Sequence, residues 1–404
     1  MSLVNGDLEA ARRAIADQVK FDILTESHEA DNEKARQEVA RCFISDTITG
    51  RIPTKEMYLY ASRATLGDDV YHEPSTLALE AHMAKLTGKE AALFLPSGTM
   101  SNQIALRTHF KQPPYAVLCD HRAHINTYEA GGTAFHSGAH TYPVIPANGH
   151  HITVEEVEAH AVLDHNIHYA PVELISLENT LNGTIFPQDE IVRISEFARK
   201  HNLKMHLDGA RIWHVAAETG TSISELCAPF DSVSLCLSKG LGAPIGSCLV
   251  GPKDFIHKAR WFRKLFGGGM RQTGILAASA AYALTHNFPQ LPRVHALTRK
   301  LEAGLEEAGV RITSGAETCM VFFDPSTIGV SLPELVEAAN QLPNPIKLGG
   351  SRLVVHVQTS DEAVEDLVAL VRRLAEEKKA AGFVYDAAKA SGQGRQNIYV
   401  KVKN

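Results

Sequence analysis

Cysteine is scarce and scattered. The 404-residue chain has six, Cys42, Cys119, Cys227, Cys236, Cys248 and Cys319, far apart and with no C-x-x-C pair. That spacing excludes a zinc knuckle and reads as buried thiols in a reducing compartment. Long apolar runs are missing too: no stretch approaches the ~20 residues a membrane helix needs, so no membrane partner is expected. A long Lys/Arg run is also absent and the formal net charge is −6, which argues against a nucleic-acid surface and against docking on acidic membranes. The opening segment "MSLVNGDLEAARRAIADQVK" reads as an amphipathic helix carrying Asp7, Glu9 and Asp17, which suits neither a signal peptide nor an acid-poor transit peptide. Together these features predict a soluble, cytoplasmic protein.

Several catalytic signatures are lacking as well. "GLGAPIG" is one residue too long for a dinucleotide-binding G-x-G-x-x-G and contains a proline. No nucleophile elbow, H-E-x-x-H helix or P-loop occurs, so hydrolase, zinc-protease and nucleotide-triphosphatase readings are weak. No metal site is expected.

What is present is an α/β pattern. From about residue 75 short apolar strands, "AALFLP", "YAVLCD", "TYPVI", "ELISLEN", "KMHLDG", "SVSLCLS" and "GSCLVG", alternate with helix-period segments such as "DEIVRISEFARKHN" and "TGILAASAAYALTHN". This predicts a mainly parallel sheet sandwiched by helices. After about residue 290 the texture changes to long charged helices with the strands "CMVFFD" and "SRLVVHVQ", a smaller α+β domain, and "IYVKV" is a further strand candidate in the polar tail. The predicted division is an N-terminal arm and helix over 1–60, a large domain over 61–290 and a small domain with its tail over 291–404.

In open parallel sheets ligands collect outside the carboxyl ends of the strands, so polar residues just after each strand carry the functional signal. Lys239 follows "SVSLCLS" and precedes Gly240, Gly242, Pro244 and Gly246. A buried amine there can have its pKa lowered towards neutrality and form a Schiff base, while the glycines let the backbone pass close to a flat ligand. A surface lysine at a strand end is the plainer alternative. Asp208 ends "KMHLDG" and would hold the ring proton of a pyridoxal phosphate, although an Asp before Gly is also an ordinary turn. "LFLPSGTMSNQ" supplies strand, loop and helix start in order, which makes Ser97, Gly98 and Thr99 natural donors to a phosphate, or simply a helix cap. His124, in "DHRAHINTYEAGG" with His121, could cover a ring face and move protons. Histidine is plentiful, with 20 in the chain, and His150 and His151 after an Asn-Gly pair belong to a surface turn. A substrate carboxylate calls for a forked donor, for which Arg211 and Arg352 are candidates, each equally able to form a structural ion pair.

These segments resemble the L-threonine aldolase family of pyridoxal-phosphate enzymes with the aspartate aminotransferase fold. The likeness spans about residues 43 to 370, through "SDTIT", "GDDVY", "LPSGTMSNQIA", "DHRAHINTYEAGG", "LISLENTLNG", "HLDGARIW", "CLSKGLGAPIGSCLVG" and "GGGMRQTG". It implies that Lys239 carries the cofactor, that Asp208 pairs with its pyridine nitrogen, that His124 stacks on its ring and that Ser97, Gly98 and Thr99 hold its phosphate. It also implies that Ser45, Arg211 and Arg352 grip the substrate carboxylate and that His168 lies near the substrate hydroxyl, with Tyr71 and Glu129 at active-site positions. Arg271 would approach a neighbouring subunit's cofactor, which implies a homodimer or homotetramer with active sites at the interface. The implied reaction is retro-aldol cleavage of a β-hydroxy-α-amino acid such as L-threonine or L-allo-threonine to glycine and acetaldehyde, with His124, His168 or a bound water as base. Two departures stand out: Ile44 occupies a place where an arginine is expected, and His72 one where glycine is usual. The same geometry serves alanine racemases, including fungal ones resembling threonine aldolases. Racemisation would use Lys239 on one face of Cα and Tyr71, His72 or His124 on the other.

Overall fold

The computed structural model describes residues 2–20, 28–47, 53–164 and 166–386, without side chains for 2–8, 11 and 71. The "IYVKV" segment lies outside the described residues. The chain divides at Glu38/Val39 into two compact units. The first contains the helix Ser2–Val19 and the start of the helix Glu29–Ala40, where Arg36 bonds Glu33 on the same face.

The second unit is built on a seven-stranded sheet of β1 (Ala91–Leu95), β2 (Ala116–Asp120), β3 (His140–Val144), β4 (Val172–Glu178), β5 (Lys204–Asp208), β6 (Ser232–Cys236) and β7 (Ser247–Gly251), in the order β1-β7-β6-β5-β4-β2-β3. All seven predicted strands form. Neighbours from β6 through β3 pair in parallel, and β7 runs antiparallel to both β1 and β6. Every residue of β2, β6 and β7 is buried, the signature of strands covered on both faces, and that is why these segments are unbroken apolar runs rather than alternating ones. The covering helices are amphipathic. Gln188–Lys200 starts with Asp189 and Glu190 and ends with Arg199 and Lys200, charges that complement its dipole, and buries Ile191, Ile194 and Ala198.

A second sheet has the antiparallel order of β10 (Arg352–Val354), β9 (Met320–Asp324) and β8 (Arg311–Ser314). Its apolar cluster includes Leu297, Leu301, Phe323, Leu353, Val364 and Leu367, from the helices Leu291–Glu307 and Asp361–Ala380 among others. β10 is shorter than "SRLVVHVQ" predicts, because the chain turns at His356–Thr359 before the Ser360 cap of the last helix. Phe43 also belongs to this cluster. Phe43 N donates to Lys347 O and Phe43 O accepts from Val354 N, so residues 42–46 are stitched to the small sheet rather than lying in a polar arm. All six cysteines are free and buried. His150 and His151 follow a turn at Gly149, as predicted, but are part-buried, and His150 Nε2 is tied to Glu317 at 2.8 Å. Among the described residues no helix is long and apolar enough to cross a membrane.

Candidate active site

The parallel strands bring their carboxyl ends to one edge, and the polar residues singled out above follow them there. Glu178 ends β4 and Asp208 ends β5, as register partners, and Ser234 of β6 is the next partner across. Lys239 comes three residues after β6, in a turn closed by Gly242 N to Lys239 O. Beyond β1, Ser97 caps the helix Gly98–His109 by accepting from Met100 N, and the following N–H groups of Gly98 and Thr99 are the orphan donors of a helix start, suited to an anion. Beyond β2, His124 opens a short helix, its N–H donating to Glu178 Oε2 at 2.8 Å.

Asp208 is buried and accepts from Asn102 Nδ2 at 2.7 Å and from Ala210 N at 3.0 Å. The same Asn102 nitrogen lies 2.8 Å from Glu129 Oε1. Glu129 also receives Gln103 Nε2 and sits 2.8 Å from His124 Nδ1. One polar atom each of His124, Glu129 and Asp208 lies within 4.8 Å of the other two. Because a buried carboxylate bonded to amide donors is an acceptor, Nδ1 of His124 carries its proton and Nε2 is left for a ligand. His124 has its pKa raised: burial opposes this, and the bond to Glu129 and the charge of Asp208 outweigh it. Glu178 is pushed up to about 8, first by burial and then by Asp208 beside it.

Lys239 differs from expectation. Burial does favour its neutral form, but Cys236, Asp208 and Glu178 outweigh that, and its pKa moves up rather than towards neutrality. The glycines also serve differently from the sequence reading. A Cβ on Gly240 would lie 2.3 Å from His214 Nε2, and one on Gly246 (φ +112°) 2.5 Å from the Phe94 ring. The space they leave is filled by protein packed beneath the lysine turn. Gly98 acts likewise, since a Cβ there would meet Cys236 Sγ at 2.5 Å and lift the helix start off the sheet.

Arg211 is clamped by its own chain: Nε and Nη2 form a fork on both oxygens of buried Asp46, at 2.9 and 2.5 Å, and the pairing raises the arginine's pKa against the pull of burial. Of the two sequence readings, the structural ion pair is the one seen. Arg352 is buried, with Nη2 3.3 Å from Ile44 O, and Ser45 is buried with its Oγ 2.8 Å from Thr47 Oγ1. The stitched segment Ile44–Asp46 thus gathers Ser45, Arg211 and Arg352. Ile44 itself packs on the Gly349 backbone, where an added Cβ would lie 2.9 Å from Ile44 Cγ2.

Three predicted residues stand apart. His168 lies in an exposed turn, its N–H donating to Asn166 Oδ1. Arg271 is exposed and reaches Asp68 at 3.3 Å. Tyr71 closes a short helical turn, Asp69–Tyr71, fixed by a buried Arg263–Asp69 ion pair at 2.6 Å; its side chain is outside the described set. His72 ends that turn with φ +68°, a left-handed conformation that explains why glycine is usual there. The residues missed from sequence are Asn102, Gln103, Asp46 and Glu178. The signal for the first two was "SNQ" at positions a buried helix face would fill with apolar residues.

The fold is one shared with known enzymes: the threonine aldolase of Leishmania major superposes with a TM-score of 0.71 at 21% identity, covering 83% of this chain and 99% of that one, a likeness of fold. The sequence model described as "Beta-eliminating lyase" matches residues 43–327. A low-specificity L-threonine aldolase of Candida albicans is 47% identical over 329 residues, 80% of this chain and 87% of that protein. An alanine racemase of Cochliobolus carbonum is 37% identical over 339 residues, 81% and 86% of the two chains. The chain belongs to the beta-eliminating lyase family, among the L-threonine aldolases.

Proposed function

We propose that the protein is a low-specificity L-threonine aldolase, cleaving L-threonine or L-allo-threonine to glycine and acetaldehyde. The observation that carries this reading is the meeting of the Lys239 turn and Asp208 at the carboxyl ends of adjacent parallel strands, with His124 tied to Asp208 through Glu129 and Asn102 and its N–H bonded to Glu178. The cofactor of this family is pyridoxal 5'-phosphate, and the residues fit it: an amine, an ionised carboxylate and an anion-ready helix start face one edge, and Gly98 keeps that start close to the sheet. When bound, it supplies an electron sink for the pair released as a bond to Cα breaks.

The chain's own residues would then divide the work. Lys239 anchors the cofactor, Asp208 holds the pyridine proton, Ser97, Gly98 and Thr99 bind the phosphate, and His124 covers the ring. Ser45 and Arg352 take the substrate carboxylate, with Arg211 oriented by Asp46 to share it. His124 Nε2, free to accept because Nδ1 donates to Glu129, takes the β-hydroxyl proton. Arg271, His168 and Tyr71 complete the site in a homodimer or homotetramer, Arg271 from a neighbouring subunit. The organisation we infer is an arm over 1–60 from which residues 42–46 join the small domain, a cofactor domain over 61–290 and the small domain after it, in a cytoplasmic protein whose free thiols stay reduced.

Racemisation of alanine is the second reading, favoured by the racemase among the relatives. Incubation with L-threonine, L-allo-threonine and L-alanine in heavy water decides between them. Glycine and acetaldehyde are expected from the first two; deuterated D-alanine without aldehyde release would overturn the assignment.

A further inference from the structure

A line of hydrogen bonds runs inward from Asp208 through the sheet. His206 lies two residues before Asp208 on β5, on the same face, and is completely buried. Its Nε2 is 3.2 Å from Asn102 Oδ1 and its Nδ1 2.8 Å from Ser232 Oγ, which in turn is 2.7 Å from His109 Nε2. Ser234 Oγ, paired with Ser101 Oγ at 2.7 Å, stands 3.4 Å from the same Nε2.

The direction of each bond can be worked out from Asn102. Its Nδ2 faces two carboxylates, Glu129 and Asp208, which accept, so both amide protons go there and its oxygen faces His206. A carbonyl oxygen only accepts, so His206 Nε2 carries the proton. Nδ1 is then an acceptor for the Ser232 hydroxyl, whose oxygen accepts from His109. A neutral ring is also what burial imposes: His206 is held down at about 4 despite the opposing charge of Asp208 and a hydrogen bond to the Ser232 backbone, and His109 at about 3. Were Asn102 to flip, its oxygen would oppose two carboxylates and its NH₂ would oppose the Nε2–H donor.

We propose that His206, as the neutral Nε2–H tautomer, is a positioning residue that fixes the Asn102 amide so that one N–H holds Asp208 as an ionised acceptor and the other holds Glu129 against His124. This rests on the reading of Asp208 as the partner of the cofactor's ring nitrogen. Without the His206 donor the buried Asn102 oxygen is left unsatisfied, the amide is held from one side only, and its N–H positions Asp208 and Glu129 less firmly. Substrate capture by Ser45 and Arg352 is untouched, so the effect falls on turnover.

The test compares cofactor-loaded wild type, His206→Leu and His206→Gln, whose amide can still donate to Asn102. For His206→Leu, kcat for threonine cleavage should fall at least about tenfold with KM within about twofold, and the pH at which the bound-cofactor absorbance changes should move. His206→Gln should recover most of both. Thermal melts establish that each variant folds. Nitrogen NMR of histidine-labelled wild type, which needs no variant, should show His206 neutral and protonated at Nε2 around neutral pH. A charged ring, an Nδ1–H tautomer, or a folded His206→Leu with wild-type kcat and spectrum overturns the proposal. If wild type shows no cofactor band, the reading of the site fails instead, and the NMR result still decides the tautomer.

Discussion

Glu178 and Asp208 stand side by side as register partners at the ends of adjacent parallel strands, one a carboxyl pushed up to about 8 and the other bonded by Asn102 Nδ2 and Ala210 N. Burial and the neighbouring Asp208 outweigh the His124 N–H bond that Glu178 accepts. The folded cofactor-free protein therefore keeps a proton on Glu178 that the unfolded chain loses near 4.5, so this residue costs stability increasingly as pH rises from about 4.5 to 8. Glu178→Gln keeps an acceptor for His124 N and cannot ionise. Its gain over wild type in urea melts should be near zero at pH 4.5 and reach about 1–2 kcal/mol above pH 8.

Asp46 exists in this fold to meet Arg211. Removing it leaves a buried guanidinium without its fork, so Asp46→Ala should lower stability by about 3–5 kcal/mol. Combining it with Arg211→Met should recover a large part of that loss in thermal melts, while threonine cleavage stays impaired.

Gly240 next to Lys239 is required by His214. Gly240→Ala should cost about 1–3 kcal/mol and displace the lysine turn, lowering cofactor affinity as well as melting temperature. In Gly240→Ala/His214→Ala the clash is gone, and cofactor affinity should return towards wild type even though the cavity lowers stability.

His72 holds a left-handed backbone that glycine adopts without strain. His72→Gly should leave stability unchanged or raise it by about 0.5–1 kcal/mol. If cleavage of threonine persists in that variant, His72 is not needed as a proton-transfer group; loss of cleavage with an intact fold would give it a chemical role.

How much could be read from the sequence follows from where each feature is encoded. The strands were legible because burial on both faces makes them continuous apolar runs, and Lys239, Asp208 and the Ser97 cap because each directly follows such a run. Asn102, His206 and Glu178 were not legible: their roles are contacts across helix and strands, and in sequence they look like ordinary polar residues. The Asp46–Arg211 pair joins residues separated by most of the large sheet, so no local pattern announces it. Cys42–Asp46 was placed in a polar arm by the composition around it, whereas Phe43 packs into the small domain's apolar cluster and the backbone around it bonds Lys347 and Val354. The expected drop in the Lys239 pKa failed because burial, legible in the strand, is outweighed by the groups around the amine, Cys236 first and then Asp208 and Glu178 from β5 and β4.

The most direct test of the account is whether Lys239 carries the cofactor while Asp208 governs its charge. Purified protein saturated with pyridoxal phosphate should show a visible absorbance band that borohydride abolishes, leaving the cofactor's mass on the peptide containing Lys239; Asp208→Asn should retain the attachment and lose at least about a hundredfold in kcat. A colourless protein with unmodified Lys239, or an Asp208→Asn enzyme that turns over like wild type, would contradict it.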